Sequence, residues 1–201
     1  MSSTELNHAT TVCDSIWCAC VTIRVRSHRL ANSPMRTPGR LFWPLAAATI
    51  LADCSSKRAV EAAMPLTGVP RDVVGGLLRF NLHYNPGAAF STSVGPYQRW
   101  VLVGVAVGIL AVLWRSYGSI ARTGWLGVTG VALVVGGAAG NMLDRLISDR
   151  GVVDFIDVGV GASRFFIFNV ADAGVSVGAA LLIIATWRSE RQRINDTGVG
   201  M

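Results

Sequence analysis

GGAAGNMLDRLISDRGVVDFIDVGVGASRFFIFNVAD, residues 136–172, holds the charges that decide how this chain is built. Long apolar segments bound it, Thr123–Leu143 running into it and Ala173–Trp187 leaving it. Between them stand Asp144, Arg145, Asp149, Arg150, Asp154 and Asp157, and Asp172 heads the second apolar run. Ionisable groups beside or inside apolar spans are costly to keep, and by default they mark a functional site with partners. The chemistry of the chain is expected here.

The 201 residues are 51% hydrophobic and 15% charged. With a positive mean hydropathy, that is too apolar and too charge-poor for an average soluble domain. Four segments read as spanning helices, roughly 41–56, 96–114, 123–143 and 173–187. Only the third is an uninterrupted run of about 20 residues, the length that crosses ~30 Å of hydrocarbon. A soluble helical bundle is the alternative, and the Trp positions argue against it. Trp43, Trp114, Trp125 and Trp187 fall at the ends on one side and Trp100 at the opposite end, as in aromatic belts. Basic residues divide ten against eight between the two sides. The positive-inside rule therefore favours both termini in the cytoplasm only modestly.

Residues 1–34 carry Cys13, Cys18 and Cys20. No His or second Cys pair completes a metal or redox site from them, and the segment reads as a disordered extension or as sequence upstream of the true start. Met35, followed by Arg36, Arg40 and an apolar run, looks like a natural beginning. Arg36 to Cys54 also mimics a lipoprotein signal peptide ending in a lipidated cysteine, a segment that would be cut away. The residue before that cysteine should be small and neutral, and here it is Asp53. The segment is therefore kept as the first membrane helix, with Asp53 and Lys57 on one face at i, i+4 near its outer end.

The first outer loop, 57–97, contains Leu78–Tyr84, where apolar and polar residues alternate with the period of a half-buried strand. His83 on its polar face is expected at the surface. Asn85-Pro86-Gly87 turns the chain, and Ala88-Ala89-Phe90 leads toward the second helix. Ser116–Arg122 is expected as a hydrophilic turn. The third helix is expected to close on Gly136–Gly140, whose small residues let a neighbouring helix approach. Asn141 and Arg145 then share a face, and Asp144 can pair locally with Arg145. Val152–Ile156 is a β-type run presenting Asp154, Arg164–Phe168 is an aromatic run, and Asn169-Val170-Ala171-Asp172 opens the last helix.

These residues resemble the lipoprotein signal peptidases of type II, membrane aspartyl proteases that remove signal peptides from lipidated bacterial prolipoproteins. The resemblance covers most of residues 36–190. It rests on five blocks in the family's order: Asp53 with Lys57, Asn85–Phe90, Gly136–Arg145, Gly151–Phe155 and Phe168–Asp172. It implies a mainly α membrane protein, with four transmembrane helices and a small extracytoplasmic β element and loop capping the active site. By the same matching Asp154 and Asp172 are the catalytic pair. Asp53, Lys57, Asn85, Gly87, Asn141, Arg145 and Asn169 would line the substrate site. The implied protein needs no metal or cofactor and binds no nucleic acid. It is a monomer in the bacterial inner membrane, its partners being lipid-modified prolipoproteins and membrane lipids, its active site facing outward. The chain then divides into an extension at 1–34, a peptidase domain at 35–190 and a cytoplasmic tail at 191–201.

The chemistry suits the residue types. Two carboxyls at a low-dielectric boundary cannot both ionise easily and share a proton. One carboxylate can take a proton from attacking water while its protonated partner supports the developing oxyanion. Asp172 lies about 16 residues before Arg188, ~24 Å of helix at 1.5 Å per residue, which sets it near the outer boundary where water reaches. A transporter would also bury charges, but its internal repeats are missing here. A structural scaffold would account for the small-residue packing and not for five polar blocks.

Overall fold

The computed structural model describes residues 38–64, 66–87, 97–196 and 198. Cys13, Cys18, Cys20, Met35, the segment 1–34 and Ala88-Ala89-Phe90 lie outside the described residues. Four long helices and a four-stranded antiparallel sheet make up the rest: α1 (Phe42–Ala63), β1 (Arg71–Val74), β2 (Leu78–Asn85), α2 (Gln98–Ala121), α3 (Trp125–Ile147), β3 (Val152–Val160), β4 (Ser163–Arg164) and α4 (Val170–Asp196). The strands lie in sequence order. β2 and β3 form the longest pairing, with His83 opposite Asp154 and Asn85 opposite Val152.

Every helix runs further than its apolar core predicts. α1 continues past 56 because Ser55–Ala63 contains the helix formers Lys57, Arg58, Ala59, Glu61, Ala62 and Ala63. Asp53 and Lys57 therefore lie well inside it and not near its end. Ser116–Ala121 is helical, and the turn shrinks to Arg122-Thr123-Gly124. There Gly124 adopts φ +89, a region that disfavours residues with a Cβ. α3 carries on through Gly136–Gly140 to Ile147, so Asn141, Asp144 and Arg145 are helical. α4 absorbs residues 191–196 of the expected tail.

α2, α3 and α4 are long and apolar enough to cross a membrane. α1 is 22 residues long, but its C-terminal half carries Asp53, Lys57, Arg58 and Glu61, and it is not among the helices apolar enough to cross by composition. α3 is the hub, packed against α1, α2 and α4. Its glycines permit this. A Cβ on Gly130 would stand 2.8 Å from the Gly178 carbonyl oxygen of α4, and one on Gly140 would stand 2.7 Å from Asp53 Oδ2 of α1. Larger side chains would force both helices away. α2 touches mainly α3 and leaves almost its whole length uncovered. The five Trp named above are all more than half exposed, as aromatic belts require.

Two apolar clusters bracket the middle of the molecule. Phe42, Ala46, Val128, Val131 and Ala132 close one end of the helices. Val60, Met64, Leu82, Val153 and Phe155 pack the far end of α1 against the sheet. Between them lies a layer of buried polar side chains.

Candidate active site

That layer is assembled from all five blocks of the chain that the sequence singled out. α4 begins with a reciprocal cap. The Asp172 N–H donates to Asn169 Oδ1 at 2.9 Å and the Asn169 N–H to Asp172 Oδ2 at 3.2 Å, which satisfies helix-terminal donors that would otherwise be orphaned. The cap fixes Asn169, whose amide then donates to Asp154 Oδ1 on β3 at 2.7 Å and to Asn141 Oδ1 on α3 at 3.0 Å. Asn141 passes the link back, donating to Asp172 Oδ1 at 2.7 Å. Asp154 Oδ2 takes a further bond from Asn85 at 3.0 Å, and Asn85 Oδ1 accepts the Gly87 N–H at 2.9 Å. Asp154 and Asp172 are thus joined through Asn169 and Asn141, and all four of their oxygens accept hydrogen bonds from asparagines.

Asn85-Pro86-Gly87 does turn the chain, and its geometry explains the glycine. Gly87 has φ +112, and a Cβ there would run into Leu102 of α2. Asp154 is 5% exposed. Burial pushes its carboxyl from 3.8 up to about 6; Asp172 adds to the rise, while the amides of Asn85 and Asn169 oppose it. Its neutral form is the favoured one at mildly acid pH.

Asp53 and Lys57 stand behind this surface and not on it. They are 0% and 2% exposed. Lys57 Nζ donates to Asp53 Oδ2 at 2.6 Å and Asn141 Oδ1 at 3.0 Å, and pairs with Asp144 Oδ2 at 2.7 Å. Three acceptors match the three protons of an ammonium. Asp53 Oδ1 accepts the Ala171 N–H at 2.9 Å, so this carboxylate ties the start of α4 to α1. The expected local pair of Asp144 with Arg145 does not form. Neighbours on a helix point about 100° apart, and Asp144 turns to Lys57 while Arg145 turns to the carboxyl pair. Arg145 donates to its own Asn141 carbonyl at 3.1 Å and feels the charges of Asp172 and Asp154. Its Nε is buried with no partner.

His83 is exposed on β2, as expected of a polar strand face. Among the described residues no group of three His, Cys, Asp or Glu side chains could hold a metal ion.

Sequence reasoning missed Arg164. It pairs with Asp157 at 2.7 Å and donates to the carbonyls of Gly76, Gly159 and Asp157 at 2.7, 3.1 and 3.0 Å. One guanidinium thereby holds the β1–β2 turn to the β3–β4 hairpin. Opposite charges at 157 and 164, flanking Gly159 and Gly161, were a legible sign of a hairpin pair. A bulge in β3, where the N–H groups of Phe155 and Ile156 both donate to the Phe168 carbonyl, sets Asp154 and Asp157 on the same wall of an open cavity of about 770 Å³.

The family model for signal peptidase (SPase) II matches residues 45–188. A lipoprotein signal peptidase of Salmonella newport is 36% identical over 157 residues, 76% of this chain and 92% of that protein. One from Hydrogenovibrio crunogenus is 43% identical over 112 residues, which span 54% of this chain and 63% of that relative. Two solved structures share the fold, both described as a bacterial membrane enzyme determined by the in meso method. The one at 2.3 Å has a TM-score of 0.63 at 28% identity, covering 73% of this chain and 87% of the other. The one at 1.9 Å has a TM-score of 0.62 at 29% identity, covering 71% and 90%.

Proposed function

The chain belongs to the signal peptidase II family, whose work is the removal of signal peptides from prolipoproteins, and we propose that Asp154 and Asp172 are the carboxyl pair that hydrolyses the peptide bond here. The observation that carries this reading is the asparagine bridge, which fixes both carboxyls from opposite sides of one polar layer. The proton shared by the pair resides on Asp154, where burial favours the neutral acid. Asp172 takes a proton from water as the water oxygen attacks the scissile carbonyl. Asp154 gives its proton to the carbonyl oxygen as that oxygen becomes tetrahedral. Collapse of the intermediate breaks the C–N bond, returns a proton to Asp154 and delivers the proton on Asp172 to the leaving amine.

The other site residues divide by what they touch. Asn85, Asn141 and Asn169 orient the pair, and Gly87 keeps the loop close. Arg145 has a buried donor with nothing to bind, which suits the carbonyl of a bound substrate. Asp53 and Lys57 act through Asn141 and the start of α4, as positioning groups.

The substrate is a diacylglyceryl-modified prolipoprotein cut before its lipidated cysteine. The enzyme works as a monomer in the bacterial inner membrane among lipids, with α1 as a fourth span, both termini cytoplasmic and the sheet and following loop capping the site on the outer face. Residues 35–190 are the peptidase domain, and 1–34 are an extension dispensable for catalysis. The test is cleavage of a lipidated prolipoprotein peptide by the purified protein in detergent. Asp154→Asn and Asp172→Asn should each abolish turnover in a folded, inserted protein. Near-normal turnover in either removes that residue from the chemistry.

A further inference from the structure

The cavity beside Asp154 extends away from the helices over the polar face of the sheet. Asn81, His83 and Asn85 line it in a row, while the alternate residues Phe80 and Leu82 face the core and Tyr84 packs on the core and also borders the cavity. Asn85 is committed to Asp154 and Gly87. Asn81 is not committed: its Oδ1 is buried and accepts no hydrogen bond. A buried acceptor left without a donor costs stability, and in native structures such an atom calls for an explanation, binding being one. The Asp157–Arg164 pair on the same wall neutralises itself, so beyond Asp154 the cavity offers hydrogen bonding and no net charge.

We propose that this row is the subsite for the segment of substrate that follows the scissile bond, held in an extended form with Asn81 Oδ1 accepting one of its backbone N–H groups. The inference rests on the dyad reading above. Its direction follows from solvation. The apolar signal segment must leave toward hydrocarbon, whereas the segment after the cut is bound for water, and the cavity opens on the sheet and not between the helices. The face of a sheet has no free backbone groups, so an extended peptide lying on it must bond to side chains. A neutral amide recognises backbone and leaves side-chain identity open, and the subsite therefore selects for chain length beyond the cut more than for sequence.

The experiment compares two lipidated peptides, one ending two residues past the cleavage point and one with several residues more. The native enzyme should favour the longer by about tenfold in kcat/KM, the size of one hydrogen bond. Asn81→Ala should bring that ratio toward one and leave thermal stability in detergent equal or higher, because it removes an unsatisfied acceptor. Asn81→Asp, which keeps an acceptor oxygen, should keep the preference. Loss of activity on both peptides alike, an unchanged ratio in Asn81→Ala, or no length preference in the native enzyme overturns the proposal. Failure of the dyad reading is distinguishable, since it appears as turnover of either peptide by Asp154→Asn.

Discussion

On the helix side of the carboxyl pair, Lys57 sits between Asp53 and Asp144 with almost no contact with water. On the sheet side, Arg164 pairs with Asp157 and grips three backbone carbonyls at the edge of an open cavity. Both clusters put a cation between acceptors, but they do different work. The Lys57 cluster joins α1, α3 and, through the Ala171 N–H, α4. Its charges are desolvated, so each depends on the others. The Arg164 cluster is local to the sheet and partly wet, and it shapes a surface more than it supports a core. The difference predicts that loss of one side unmakes the protein and loss of the other reshapes its site.

Lys57→Met tests the stronger half of that statement. It leaves Asp53 fully buried and Asp144 half-buried without a counter-charge, a change that costs ~3–5 kcal/mol when one partner of a buried pair is removed. Thermal or denaturant unfolding in detergent should show the full loss, with activity gone as Asn141 is released. A loss below about 1 kcal/mol would mean that the cluster does not depend on its cation, and the comparison breaks.

Arg164→Ala should cost less, about 1–3 kcal/mol, the penalty for leaving the Gly76 and Gly159 carbonyls and Asp157 short of donors. Helix content by circular dichroism should not change, and KM should rise more than kcat falls. If kcat falls alone with KM unmoved, the guanidinium serves the chemistry directly and the comparison breaks.

How much of this was legible follows the range of the interaction. The Asp53–Lys57 spacing, the turn at Asn85–Gly87 and the apolar setting of Asp154 and Asp172 are local patterns, and the sequence displays them. The partner of Asp144 is 87 positions away in Lys57, and no local pattern announces it; proximity in sequence pointed wrongly to Arg145. Asp53 as the anchor of α4 is likewise invisible until the glycines of α3 bring the two helices together. β1 has no alternation to betray it, being exposed throughout. Helix ends were misjudged because apolar runs stop where the hydrocarbon stops, whereas Ser55–Ala63 and Leu143–Ile147 remain helical in polar surroundings.

Between the two clusters, Asp154 should titrate as the sheet side dictates. The Asp154 carboxyl is held near 6 instead of 3.8, and the mechanism proposed above needs its proton. In the free enzyme kcat/KM should therefore fall as pH rises through about 6, tenfold per pH unit once past it. A folded-state pKa above the ordinary value stabilises the fold below about pH 4, and that contribution is lost as pH rises through about 6. Asp154→Asn, which cannot ionise, should accordingly gain stability relative to the native protein above pH 6 and not below pH 4. A profile flat from pH 5 to 8 in both activity and relative stability would show that Asp154 holds no proton in this range.

The smallest effect is expected one residue from the largest cluster. Cys54 follows Asp53 on α1, but a step of one residue rotates the side chain by about 100°. Asp53 consequently points into the helix interface, whereas Cys54 is half-buried and lines a separate cavity with Arg58, Glu61 and Ile147. Cys54→Ser replaces sulfur by oxygen at a position where water is available to the hydroxyl, so stability should change by no more than about 0.5 kcal/mol. Turnover and the intact mass apart from the substitution itself should be unaltered. Asp53→Ala, by contrast, removes a partner of Lys57 and the acceptor for the Ala171 N–H, and should destabilise on the scale of the buried pair. The two variants, side by side, decide how the segment from Arg36 to Cys54 is read. A native chain that carries a lipid at Cys54, lost in Cys54→Ser, would make it a lipoprotein signal and detach Asp53 from the enzyme. Equal effects of the two substitutions would mean that α1 is rotated from the orientation on which the whole Lys57 cluster depends.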